Sequence, residues 1–595
     1  MNKKSLLFML VALLTFGMIL AACGGNGDEP TNEDPTEAPA EGEGEGEGTA
    51  GEPQQGGTVT AAMFSAPGHQ FNPIFYSDSY EANILDFTHE SLVTLDENLD
   101  WIPELAKEWK FNDEFTELTY TLEEGVKWHD GEEFTAEDVV FTYTAIADPE
   151  YTPAGGVRVD YVNQLVGYEE YVAGETDTFE GVKADGDYTV TFYFAEPSIT
   201  ALQYTSFPII PAHIFEGVDV ADIPEHPASR NAGEVIGTGP FKLTNMQEGE
   251  QYVLERHDDY WKGTPNLDRV VWRVVDNAIM TGLLQNEEID MVGLPGGVPA
   301  ADAADVDAMP NVTLVQDQDF GYQYLGFKLH HSEGEQSDWT DKSGWVENEK
   351  LADVQVRQAI AYAVNRQGFV DGLMHGQGIV LNAPFPEASW AFNPDAVNQY
   401  EYSEEKANEL LDAAGYKDSN GDGFREDPNG NEWVLNLDYP TGNETRERTA
   451  PIIVENLAAV GIKVDMRSPR EAAAHFELVE RNDTDWDLYL AGWGLSTGDP
   501  DPSGIHRSTA AYNYLRWDDA HSDELLDKAL QAPEAFELEY RQDIYNEWAK
   551  YYSEQLPALP LYSANVNVAF NNKFHGWTVK PRDVNSDSHL WWVEQ

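Results

Sequence analysis

Asp418, Asn420 and Asp422, followed by Gly423 and the carbonyl of Phe424, repeat the oxygen spacing of the first half of a calcium loop. Oxygens at alternate positions converge on a cation there, while the glycine makes the sharp turn. The twelfth position is Asn429, so Glu426 or Asp427 has to close the shell, and Pro428 and Gly430 break any exit helix. A structural calcium site on Asp418, Asn420, Asp422, Phe424 and Asp427 fits this spacing. So does a metal-free hairpin held by Asx turns. A second chemical candidate, His129-Asp130-Gly131, lacks the partner nucleophile that a general base needs and reads as a turn. The sequence has no Gly-x-Ser-x-Gly elbow, Walker A loop, His-Glu-x-x-His or Gly-x-Gly-x-x-Gly. Its 107 acidic residues make carboxylate pairs too common to single out a hydrolase. No catalytic residue and no required cofactor is expected.

The elements that carry these residues alternate in type. Leu118 to Leu122 and Tyr188 to Phe194 have the period of two that marks half-buried strands. Thr135-Ala136-Glu137-Asp138 is a capping-box pattern ahead of an apolar run. Ser403 caps another helix, with Leu410 and Leu411 on its apolar face and Gly415 at its end. Val354 to Val364 has helical period and continues toward Phe369. Strands and helices interleave throughout, which predicts layered α/β structure.

The 595 residues carry a net charge of −72 yet are 41% hydrophobic and 12% aromatic, far too apolar for a disordered acidic chain. So negative a surface repels phosphate backbones and excludes nucleic acid as a partner. The single cysteine, Cys23, rules out an internal disulfide. Lys3 and Lys4, the apolar run from Leu6 to Ile19 and Leu20-Ala21-Ala22-Cys23 form a segment that resembles a bacterial lipoprotein signal. Residues 1–22 are then removed and Cys23 is lipidated. The expected location is the outer face of the cytoplasmic membrane, touched only through lipid, as in a Gram-positive cell. Residues 23–56 hold ten acidic residues, no basic one, and a fourfold Glu-Gly repeat, the composition of a self-repelling spacer. Without leader and spacer the chain keeps 97 acidic against 33 basic residues, a net −64, so the charge belongs to the folded part. That excess predicts work in concentrated salt.

Leu105 to Trp109, Gly125 to Gly131 and Phe134 to Phe141 are followed in order by Gly237 to Lys242, Tyr260-Trp261-Lys262-Gly263 and Glu288-Ile289-Asp290. Val356 to Arg366, Lys406 to Tyr416, Ala491-Gly492-Trp493-Gly494 and Asp499-Pro500-Asp501-Pro502 continue the series. Together these segments resemble the family 5 extracellular solute-binding proteins of ABC importers, of the oligopeptide- and dipeptide-binding type. The resemblance implies an α/β, two-lobed clamshell of the periplasmic-binding-protein kind with three domains and two hinge strands. Domain I takes residues 57–98, 233–320 and 549–595, domain II residues 99–232 and domain III residues 321–548. It further implies a monomeric receptor that passes a peptide to permease and ATPase subunits on separate chains.

The same resemblance assigns site residues. Trp493 reaches the cleft from a strand end. In classical relatives an Asp three residues beyond that Trp meets the peptide's α-ammonium group, and this chain has Ser496 there. Asp499 or Asp501 takes over if the loop is longer, with Tyr512 and Asn513 as further lining residues. Other ligands remain open on this reading: an oligosaccharide, an opine or a nickel chelate. An exported hydrolase is the remaining class.

Overall fold

The computed structural model describes residues 52–332, 342–441, 443–470, 472–480, 485–510 and 512–595. Cys23, the leader and the Glu-Gly repeat lie outside these residues.

Sequence period becomes structure directly in the four-stranded sheet formed by Ala106–Phe111, Glu117–Leu122, Thr189–Tyr193 and Val182–Ala184. Glu117–Leu122 buries Leu118, Tyr120 and Leu122 and leaves the intervening threonines half-buried. Helix Ala136–Ala147 packs on this sheet, with Tyr143 edge-on to Phe192. Its capping box is present: the Thr135 N–H donates to the Asp138 carboxylate at 2.9 Å. The Ser403 hydroxyl accepts the Lys406 N–H at 3.2 Å and opens helix Glu404–Ala413. A cap of this kind stabilises a helix by about 1 kcal/mol. The helix expected from Val354 toward Phe369 is two helices, Val354–Ala363 and Arg366–Leu373. Val364 is extended, and the Asn365 side chain accepts the Gly368 N–H, so a fresh N-cap interrupts a continuous helical period.

A twelve-stranded sheet forms the spine. From one edge its order is Lys463–Met466, Val434–Asp438, Leu488–Gly494, Gly321–Phe327, Ala558–Asn571, Met291–Val292, Thr58–Met63, Arg269–Val274, Gln251–Arg256 and Phe241–Gln247. Val312–Gln318 and Gly378–Ile379 also pair with Ala558–Asn571. One core, from Tyr322 to Tyr562, surrounds one end of this sheet. The other end carries cores that combine Val59–Phe87, Val235–Val312 and Val568–Trp591. A further core spans Ile74 to Ala228 around the four-stranded sheet.

The chain passes between the two bodies twice. Val312–Gln318 continues into Gly321–Phe327, and Ala558–Asn571 returns antiparallel to both, with Gln318 opposite Asn565 and Gln323 opposite Tyr562. The expected boundary at 548 falls inside helix Leu538–Gln555, whose Trp548 and Tyr552 share a core with Leu559 and Tyr562. The changeover therefore sits in the long return strand. Among the described residues no helix is long and apolar enough to cross a membrane.

Candidate functional site

Strand Leu488–Gly494 is buried through Ala491 and then emerges, and this transition carries Trp493 to a protein-lined opening. The Trp493 indole lies nearly parallel to Tyr514 and Tyr324, at 6.0 and 6.5 Å, and edge-on to Tyr512 at 5.5 Å. Tyr512 itself is 54% exposed. Trp493, Tyr512, Tyr322 and Tyr204 line a chamber of about 310 Å³ together with Ser496 and Asp501. An adjoining chamber of about 300 Å³ shares Gln203 and Ser496 and adds Trp101, Tyr161, Asp96 and Lys580. In both, one wall comes from the N-terminal body and the other from the Trp493–Tyr512 stretch.

The two bodies touch around these chambers. Gly498 sits where a Cβ would fall 3.0 Å from the Trp101 ring and 3.3 Å from the Gln203 side-chain Oε1, so the absent side chain permits the approach. Arg582 donates to the Leu495 carbonyl at 3.1 Å. Phe536 stacks on Phe115 with centroids 3.7 Å apart and meets Phe111 at 5.6 Å.

The expected anchors fare differently. Asp499 is engaged by Arg541 through bonds of 2.6 and 2.8 Å, with both side chains about nine-tenths buried. Arg541 also donates to the Ala529 carbonyl and the Tyr545 hydroxyl. Asp499 borders the Trp493 chamber with its charge already matched by Arg541. Among the described residues Asp501 accepts only from the Ser503 N–H at 3.0 Å and hydroxyl at 2.5 Å, and burial pushes its carboxyl above the ordinary range. Ser496 accepts the Gly498 N–H at 3.2 Å and borders both chambers. Asn513 does not reach them: it is 2% exposed, its amide donates to the Ser508 and Trp517 carbonyls, and its oxygen accepts the Trp517 N–H.

The acidic loop binds itself. Asp418 accepts the Gly421 and Gly423 N–H groups, Asn420 that of Asp422, and Asp422 that of Phe424. The Asn420 amide donates to Glu426 at 2.6 Å, and Asp427 accepts from Asn429 and Asn431. These are Asx turns. Among the described residues no group of three or more His, Cys, Asp or Glu side chains is placed to hold a metal ion. His129 is likewise structural, its ring bonded to the Gly239 carbonyl and the Gly237 N–H. Burial depresses its pKa.

Sequence patterns did not mark Gln203, Trp101 or Lys580, because each comes from a segment with no local motif and joins the site only through the fold.

Comparison with known proteins matches residues 100–513 to the model of bacterial extracellular solute-binding proteins, family 5. The oligopeptide-binding protein AppA of Bacillus subtilis is 30% identical over 601 residues, covering 100% of this chain and 99% of the relative. The structure of AppA from Bacillus subtilis in complex with a nonapeptide aligns over 91% of this chain and 100% of its own, with a TM-score of 0.68 and 29% identity. Lactococcal OppA, complexed with an endogenous peptide in the closed conformation, aligns over 90% of this chain and 100% of its own at a TM-score of 0.70 and 22% identity. The chain belongs to the family 5 bacterial extracellular solute-binding proteins.

Proposed function

We propose that this protein is the receptor of an ABC importer and that it encloses an oligopeptide in the two chambers that share Gln203 and Ser496. The observation that carries this reading is the pair of adjoining volumes, about 300 and 310 Å³, with walls from both bodies. A site at such an interface buries most of a ligand when the bodies close and frees it when they part. The similarity to AppA, solved with a nonapeptide, supports a peptide as the ligand. Within the chambers Asp501 is the carboxylate that answers a peptide's α-ammonium group. The rings of Trp493, Tyr512, Tyr322 and Tyr204 around it add cation–π attraction. Ser496 takes no charge-bearing role.

The mature protein is monomeric on this proposal, held outside the cell by lipid on Cys23, and hands its cargo to permease and ATPase subunits on separate chains. The lipoprotein-like leader and the acidic spacer support the anchoring. The net −72 supports a working medium rich in salt. Native mass spectrometry of protein purified from its host tests the ligand: a mixed population of bound peptides is expected, whereas sugars, opines or a nickel complex alone would overturn the peptide reading.

A further inference from the structure

Of the contacts between the two bodies, those at Gly498 and Leu495 border the chambers, whereas the stack of Phe536 on Phe115 borders neither. Phe115 stands in the turn between strands Ala106–Phe111 and Glu117–Leu122. The Asn112 side chain ties this turn by accepting the Thr116 and Glu117 N–H groups at 2.9 and 3.1 Å. The Phe115 carbonyl accepts the Ser198 N–H at 3.3 Å. Its φ is +56°, left-handed backbone that a phenylalanine adopts only at a cost. On the other body Phe536 ends the short helix Glu534–Phe536. That helix is set between Ala520–Leu530 and Leu538–Gln555, which both pack into the core from Tyr322 to Tyr562. The two rings lie 18° from parallel, and Phe111 meets both, 5.8 Å from Phe115 and 5.6 Å from Phe536.

Phe111 packs on the core beneath the four-stranded sheet, but among the described residues Phe115 and Phe536 join no hydrophobic core, and each is half-buried. Strained backbone that holds an apolar ring outside the core points to a task other than packing. Parting of the bodies exposes both rings to water, and closing stacks and buries them, so the pair favours the closed form. No ligand atom takes part in that gain. The affinity of a receptor that holds its ligand in the closed form is reduced by the closed fraction, so a contact that raises this fraction tightens every ligand by the same factor.

We propose that Phe115 and Phe536 are positioning residues: they clasp the two bodies shut from outside the chambers and set the affinity for all ligands by one common factor. The inference rests on the reading above, in which the bodies close on a peptide. It is tested on the whole mature protein with two alanine–serine nonapeptides, one carrying a single Lys and the other a single Trp, titrated by calorimetry. Phe536→Ala and Phe115→Ala should each weaken both peptides by the same factor, about three- to tenfold, the worth of one aromatic pair. The double variant should bind about as weakly as either single one, because both remove the same stack. Phe536→Tyr, which keeps the ring, should match the parent. Small-angle scattering of the ligand-free protein should give a larger radius of gyration for Phe536→Ala than for the parent, and thermal melts confirm that each variant is folded. Unchanged affinities, factors that differ between the two peptides, or additive losses in the double variant overturn the clasp and leave the peptide reading standing. Failure of both peptides to bind the parent overturns the peptide reading itself. Equal radii for parent and Phe536→Ala overturn the clasp whichever peptides bind.

Discussion

Arg541, on helix Leu538–Gln555, closes on Asp499 with two bonds of 2.6 and 2.8 Å, and this pair fixes the loop that follows Trp493. A forked guanidinium matched to a carboxylate resists rotation, and two desolvated charges hold only while both are present. Asp499→Ala therefore leaves a buried cation uncompensated and should destabilise the fold by about 3–5 kcal/mol. Denaturant unfolding measures this. A loss of ligand affinity with unchanged stability would return Asp499 to the binding site.

One acid group, Glu104, predicts a pH signature. Burial pushes the Glu104 carboxyl up to about 7. An ordinary carboxyl in the unfolded chain titrates near about 4. A folded-state pKa above the unfolded one gives stability that is whole below about pH 4 and is lost as pH rises through about 7. Glu104→Gln removes this group, so the melting temperature of the variant minus that of the parent should grow between about pH 4 and about pH 8. A difference that stays flat across this window contradicts the burial of that carboxyl.

For the acidic loop the Asx turns set the expectation. Asp418, Asn420 and Asp422 each accept amide N–H groups, and the Asn420 side-chain N–H points between Asp422 and Glu426 at 3.3 and 2.6 Å. A loop satisfied in this way should melt at the same temperature in excess Ca²⁺ as in EDTA. A rise with Ca²⁺ would instead show linkage to a bound ion and restore the calcium site.

The net charge of −72 makes a prediction about solvent. Repulsion spread over the whole surface is screened within about 3 Å at 1 M salt, against about 30 Å at 0.01 M. The melting temperature should rise steadily from dilute buffer to molar NaCl. No rise would remove the case for a saline habitat.

Much of the fold was legible because its signals are local. Leu118 to Leu122 alternates within itself, and Thr135 and Ser403 sit a few residues from the N–H groups they face. The segment order carried the clamshell. The site was only partly legible, since its chemistry is decided by partners distant in sequence. Nothing near Asp499 announces Arg541, so a carboxylate paired with a buried arginine and one bonded by Ser503 read alike in Asp-Pro-Asp-Pro. Asn513 shows the opposite failure: its partners Ser508 and Trp517 are close, yet burial alone decides that it serves the loop and not the chamber. Residue 548 carries no boundary signal of its own, because a helix and the strand after it share one core across it.

On the proposed function a peptide lies in the two chambers with its α-ammonium group on Asp501. Titration of ligand-free protein with one peptide, amino-terminally free or acetylated, tests it in the parent and in Asp501→Asn. The parent should bind the free form about 10–100-fold tighter, the worth of a buried charged hydrogen bond, and the variant should bind both forms alike. A parent indifferent to acetylation, or a variant that keeps the full preference, would contradict it.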